Sequence, residues 1–153
     1  MLDVGDKVPS TRLPSSSGKD VALTDYKGKK IVLYFYPKDD TPGCTQEACE
    51  FRDAMKTYEG LNTVIIGISK DPLSSHDKFM EKYQLPFELL SDEKLELLEA
   101  FGVWKEKSMY GKTFLGINRS TFLIDENGVI VKAWRSVKVS NHVATVLEEI
   151  KKM

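Results

Sequence analysis

Apolar residues recur along this chain with two different periods, and the changes between them predict most of its architecture. Ile31 to Tyr36 is an unbroken run rich in β-branched and aromatic residues, long enough for a buried strand and too short for a typical helix. From Cys44 the spacing becomes four, three, four and three, through Ala48, Phe51, Met55 and Tyr58, which places these residues on one face of a helix. Thr63 to Ser69 is a second apolar strand, so strand, helix and strand predict a parallel, right-handed crossover. Asp71-Pro72 starts a further helix whose Phe79, Met80 and Tyr83 are read as core. Pro86 ends that element, Phe87 to Leu90 is a short strand, and Leu95, Leu97, Leu98 and Phe101 mark a brief helix that stops at Gly102. Ser120 to Ile124 and Val129 to Trp134 flank Asn127-Gly128, a strong hairpin signal between apolar runs. Val143, Val146, Leu147 and Ile150 stripe a last helix that Ser140 or Asn141 can cap.

The remaining stretches are less regular. Residues 1 to 30 are punctuated by Pro, Ser and Gly, with Ser15 to Asp20 read as a hairpin turn ahead of Val21 to Leu23 and Leu23 to Lys29 as a packing extension. Residues 103 to 117 are expected to form an irregular connection, with a strand at its end. No repeat, linker or shift of composition divides the chain, so residues 1–153 are expected to form one α/β domain of parallel strands followed by an antiparallel hairpin.

The start of the first long helix carries the candidate chemistry. Asp40 and Thr41 are good N-cap types, Pro42 suits the first helical position, and Gly43 lets the backbone approach a ligand closely. Cys44 then lies in the first turn, where unpaired N–H groups and the helix dipole favour a thiolate. Cys49 falls on a more polar flank with Arg52, Asp53 and Lys56. Positions five apart on a helix are separated by roughly 140° and a rise of about 7.5 Å. A disulfide needs Cα atoms within about 7 Å and converging Cβ vectors. A bond between Cys44 and Cys49 therefore requires the first turns of the helix to come apart. In many intracellular chains two such cysteines would be small core residues; the placement at a helix start and the second thiol nearby favour redox chemistry here.

Composition narrows the classes. The chain is 41% hydrophobic and 29% charged, a globular balance, and its formal net charge of −1 gives no long-range attraction to nucleic acid or anionic membrane. Met1 to Asp6 has neither the basic region nor the apolar run of a secretory signal, so a cytoplasmic location is expected, where two cysteines are more plausibly reactive than a permanent staple. Other motifs fall away on inspection. Gly111-Lys112-Thr113 lacks the leading glycine of a phosphate loop because Glu106 stands there, and Asn118-Arg119-Ser120 is a glycosylation pattern without an export signal. Cys44, Cys49, His76 and His142 lack metal-ligand spacing, so no metal is expected; the histidines are read as solvated or capping residues at helix starts. Asp39 and Asp40 are read as turn and cap residues, and Asp125, Asn127 and Gly128 begin a calcium loop without completing it.

Pro37, Thr41 and Cys44 stand in the pattern P-x-x-x-T-x-x-C, and Cys44 with Cys49 in C-x-x-x-x-C. The first pattern resembles the peroxiredoxins and the second their bacterioferritin comigratory protein, or PrxQ, branch. Leu85-Pro86-Phe87, Leu89 to Asp92, Phe101 to Trp104 and Arg119 to Asp125 follow in family order, so the resemblance covers nearly the whole chain. It implies a thioredoxin-like fold, a central mixed β-sheet flanked by helices with an N-terminal β-hairpin extension. It also implies reduction of hydrogen peroxide or an organic hydroperoxide without a cofactor. Cys44 would be oxidised to a sulfenic acid, and Thr41, Gly43, Cys44 and Arg119 would hold the peroxide, with Pro37 and Pro42 shaping the motif. Cys49 would close an intramolecular disulfide that thioredoxin or a glutaredoxin-like dithiol reopens, in a chain expected to be monomeric. Two other readings stay open: a redox sensor or holdase using the same oxidation, and a thioredoxin-like disulfide exchanger, although that class normally carries C-x-x-C.

Overall fold

The computed structural model describes residues 1–153. Its centre is a five-stranded sheet of β3 (Lys30–Phe35), β4 (Thr63–Ser69), β5 (Glu88–Ser91), β8 (Ser120–Ile124) and β9 (Ile130–Trp134), in the spatial order β5-β4-β3-β8-β9. Strands β3, β4 and β5 are mutually parallel, whereas β8 runs antiparallel to both β3 and β9. The helices are α1 (Pro42–Gly60), α2 (Leu73–Tyr83), α3 (Glu96–Ala100) and α4 (His142–Lys151). Ahead of the sheet, β1 (Arg12–Pro14) and β2 (Asp20–Ala22) form the expected N-terminal hairpin, followed by a 3-10 turn over Leu23–Tyr26. This is a thioredoxin-like fold.

β3 lies at the middle of the sheet and is covered on both faces, which accounts for its unbroken apolar run. Val32, Tyr34 and Tyr36 face a cluster built with Cys44, Ala48, Phe51 and Tyr58 of α1, Phe79 of α2 and Val143, Val146 and Ile150 of α4. Ile31, Leu33 and Phe35 face the opposite cluster, with Leu97 and Leu98 of α3, Phe101, and Leu13 and Val21 of the N-terminal hairpin. The pairing Phe35↔Ser120 sets the start of β8 beside the end of β3, so the residue just before β8 lies next to the turn that leads into α1.

The stretch from 103 to 117 departs from expectation. It is an antiparallel hairpin, β6 (Trp104–Met109) and β7 (Lys112–Ile117), closed by Tyr110 and Gly111 with φ of 52° and 75°. Positive φ at both central residues matches the right-handed twist of the flanking strands. Its residues stand exposed or half-buried until Ile117 and are largely polar on β6, so no clean alternation marked the strands in the sequence. No helix is long and apolar enough to cross a membrane.

Candidate active site

The Pro37–Thr41 turn delivers the chain from β3 into α1, which starts at Pro42 with Thr41 as its extended N-cap residue. The Thr41 hydroxyl does not cap the helix; it donates to the Lys38 carbonyl at 2.8 Å, closing the turn on itself. The backbone bond from Thr45 N–H to the Thr41 carbonyl, at 2.8 Å, lies one residue beyond Cys44, so the Gly43 and Cys44 amides belong to the free N–H groups of the helix end. They leave two donors and a positive dipole end for an anionic sulfur or oxygen.

Arg119, immediately before β8, reaches this helix end from 75 positions away in sequence. Its Nη2 donates to Cys44 Sγ at 3.3 Å and its Nη1 to Glu47 Oε1 at 2.7 Å. A guanidinium suits this because it presents several planar donors and stays charged. Burial alone would make Arg119 easier to deprotonate, but the negative fields of Glu47 and Cys44 outweigh it and raise its pKa. Gly43 eases the approach: a Cβ there would lie 3.2 Å from Arg119 Nη2, tight enough to push the guanidinium back by a few tenths of an ångström. The glycine expected to admit a ligand thus admits the guanidinium.

Glu47 is the residue that sequence reasoning missed. It is fully buried, one helical turn after Cys44, and only one of its carboxylate oxygens has a partner; Oε2 has none. Burial raises its pKa from 4.5 to about 7 against the opposing pull of Arg119. A signal was present, since positions 44, 47, 48 and 51 share a helix face and a carboxylate stood in the middle of an otherwise apolar stripe. Lys107 of β6 lies within the same field: burial and Arg119 lower its pKa, and Cys44 opposes them.

Cys44 is 2% exposed and heads the buried stripe, while Cys49 is half-buried and both are free thiols. The helix between them is continuous, which leaves them on divergent faces as the spacing predicted. Cys44, Gly43 and Arg119 therefore meet at the helix start, Thr41 precedes them as the N-cap residue with its hydroxyl turned to Lys38, and Cys49 stands apart. Both histidines correct their surface reading. His76 is fully enclosed and bonded to Asp39 and Leu90, and His142 lies against Thr121 Oγ1 at 2.8 Å and edge-on to Trp134. Burial, then Arg119, lowers the His142 pKa to about 4. Asp39 and Asp40 stand in the turn as read, but neither caps α1, and their carboxylates tie the turn to α2. Asn141 precedes α4 as expected, in a left-handed conformation and without a side-chain cap.

A thioredoxin-like sheet that presents a helix-start thiol to a half-buried guanidinium defines a thiol-based oxidoreductase. Residues 4–133 match the AhpC/TSA family. The chain is 54% identical to peroxiredoxin Bcp of Bacillus subtilis over 152 residues, covering 99% of this chain and 97% of that one. It is 45% identical to peroxiredoxin Bcp of Escherichia coli K12 over 150 residues, covering 98% and 96%. Among solved structures, the bacterioferritin comigratory protein of Xanthomonas campestris superposes with a TM-score of 0.91 at 42% identity, covering 98% of each chain. A cysteine-to-serine mutant of PrxQ from Xylella fastidiosa superposes with a TM-score of 0.94 at 41% identity, covering 99% of this chain and 97% of that one. The chain belongs to the AhpC/TSA family of peroxiredoxins, in its bacterioferritin comigratory protein (PrxQ) subfamily.

Proposed function

We propose that this peroxiredoxin reduces hydrogen peroxide and organic hydroperoxides at Cys44, as one domain over residues 1–153 acting as a cytoplasmic monomer. The observation that carries the residue assignment is the 3.3 Å contact between Arg119 and Cys44 Sγ at a helix N-terminus. The Cys44 thiolate attacks one peroxide oxygen, the O–O bond breaks, and the departing oxygen takes a proton to leave as water or an alcohol. The charge growing on that oxygen is met by Arg119 and the Gly43 and Cys44 amides, joined by the Thr41 hydroxyl once it turns from the Lys38 carbonyl. The solved Xanthomonas relative is described as reducing alkyl peroxides, which supports organic hydroperoxides as substrates here.

The Cys44 sulfenic acid then condenses with the Cys49 thiol, releasing water and forming a disulfide. Cys49 takes this role because the chain has two cysteines and an intramolecular bond has no other partner. The Xanthomonas protein has been solved as separate serine mutants of two cysteines that are much further apart in sequence, so the pairing here rests on this chain alone. A dithiol, thioredoxin or a glutaredoxin-like protein, restores both thiols through a mixed disulfide. Mass spectrometry after one equivalent of peroxide, with and without thioredoxin, tests the whole cycle. It should show a Cys44–Cys49 bond that thioredoxin removes. Cys44→Ser should consume no peroxide, and Cys49→Ser should stop at one fast oxidation. Turnover by Cys44→Ser would overturn the assignment. One equivalent consumed by the wild type without any cycling would favour the sensor, since unwinding exposes the apolar face of α1.

A further inference from the structure

The turn that carries Thr41 is held from α2 by a buried polar cluster for which the reaction above has no use. His76, in the first turns of α2, is completely enclosed. Its Nδ1 lies 2.6 Å from Asp39 Oδ2 and its Nε2 lies 3.0 Å from the Leu90 carbonyl of β5. A carbonyl only accepts, so Nε2 carries a proton, and the Nδ1···Oδ2 contact holds a second one between its two atoms. The rest of Asp39 is equally committed. Tyr36 donates to Oδ1 at 2.5 Å, Ser75 donates to Oδ2 at 2.8 Å, and the Asp39 N–H donates to Asp71 Oδ2 at 2.8 Å. Asp39, Asp71 and His76 are near enough to share a cation, but these hydrogen bonds occupy the same lone pairs and fit a closed clasp.

Asp39 stands two residues before Thr41 and five before Cys44. The next residue, Asp40, has φ of 56°, and its carboxylate accepts from Lys82 and from the Tyr83 hydroxyl, each at 2.8 Å. Two consecutive aspartates thus pin the turn to one helix, the inner one through His76 and Ser75, the outer one through Lys82 and Tyr83. We infer that His76 is a positioning residue for peroxide reduction: through Asp39 it fixes the 38–43 turn, and so the direction of the Thr41 hydroxyl and of the amides facing Cys44. This rests on the peroxidase reading given above.

The two ring nitrogens allow a paired test. Asn at position 76 places an amide where Nδ1 stands and keeps the Asp39 contact alone, whereas Gln places one where Nε2 stands and keeps the Leu90 contact alone. Each variant loses one buried hydrogen bond, so a merely structural role would move both alike. In stopped-flow single turnover with hydrogen peroxide, His76→Gln should oxidise Cys44 on the order of tenfold more slowly, and His76→Asn within about threefold of wild type. Disulfide formation in His76→Gln should be as fast as in wild type or faster, because a released turn unwinds more readily. Equal oxidation rates in the two variants, or both steps slowed alike in His76→Gln, would overturn the proposal.

Amide hydrogen exchange over residues 38–44 separates this from the peroxidase reading itself. It should quicken in His76→Gln and not in His76→Asn, whatever Cys44 does with peroxide, and unchanged exchange in His76→Gln overturns the clasp. A wild-type Cys44 inert to one equivalent of peroxide would end the peroxidase reading and leave that exchange result standing. Should neither His76 variant fold, Ser75→Ala removes a half-buried donor from the same carboxylate. It should slow oxidation by about twofold to fivefold and quicken the same exchange, and wild-type behaviour there overturns the proposal.

Discussion

Replacing Glu47 by Gln separates what this residue does to the fold from what it does for Arg119. Its pKa is raised from 4.5 to about 7, chiefly because burial disfavours the ionised form, with Arg119 pulling the other way. Burial wins because Arg119 reaches Oε1 and leaves Oε2 without any donor. A carboxyl whose pKa is raised by folding holds its proton more tightly in the folded state. Its contribution is therefore fully present below the unfolded value and is lost as pH rises through the folded one. A rise from 4.5 to about 7 corresponds to about 3 kcal/mol at neutral pH and above. Gln is uncharged throughout, so Glu47→Gln should match the wild type only below about pH 4.5, pull ahead as pH rises, and become the more stable protein by up to about 3 kcal/mol near pH 8. With a urea dependence of about 2 kcal/mol per molar, the midpoint moves by about 1.5 M. Urea unfolding of the reduced protein, followed by tryptophan fluorescence across this range, measures the difference. A gap that does not change with pH, or a variant less stable than wild type near pH 8, would mean that attraction to Arg119 outweighs the loss of hydration. The reasoning would then be refuted.

Three further outcomes follow from the same geometry. Arg119→Lys supplies one ammonium where two donors reach Cys44 and Glu47, so peroxide oxidation of Cys44 should slow on the order of a hundredfold; an unchanged stopped-flow rate would return Arg119 to a structural role. Gly43→Ala places a Cβ at 3.2 Å from the guanidinium, which must yield by a few tenths of an ångström. Oxidation should slow several-fold at nearly unchanged urea stability, and an unchanged rate would show that the guanidinium position is not critical. His142 has a pKa depressed to about 4 by burial and Arg119, so its contribution is present above about 6.5 and is lost as pH falls towards 4. His142→Gln should flatten the acid limb of the stability profile, and an unaltered limb would place the loss elsewhere.

The parts of the fold that could be read from sequence are those whose residues face one kind of surroundings. β3 is buried on both sides and α1 on one, so a run and a stripe announced them. The β6–β7 hairpin was illegible because its residues contact solvent on both faces and its turn is Tyr110-Gly111 rather than a familiar pair. The site divides in the same way. Cys44, Thr41 and Gly43 are local to a helix start and carry a recognisable spacing, whereas Arg119 joins them only through the pairing of β8 with β3 and was placed by resemblance. His76 and Asp39 were misread because each is an ordinary surface residue by type. Only the packing of α2 against the turn and β5 encloses them, and periodicity within one element holds no record of that.

On the proposed resolution by Cys49, Glu47 lies inside the segment that would have to unwind for Cys49 to reach Cys44, which would tie resolution to its charge. Unwinding the first turns of α1 removes the carboxyl from its buried position and returns it towards an ordinary carboxylate value. Near pH 6 the folded helix therefore keeps a proton that the unwound one gives up, and raising the pH favours the unwound form. The thiols also respond to pH, so the wild type alone cannot isolate the effect, but Glu47→Gln has the same two cysteines without the carboxyl. The ratio of wild-type to variant rates of disulfide formation, measured after a single oxidising pulse, should climb as pH rises from about 5 to 7 and level off above. A ratio that stays flat would mean that Glu47 remains buried while the bond forms. The helix would then open without its buried face turning outward, and the stripe that shapes the core would take no part in releasing the thiol.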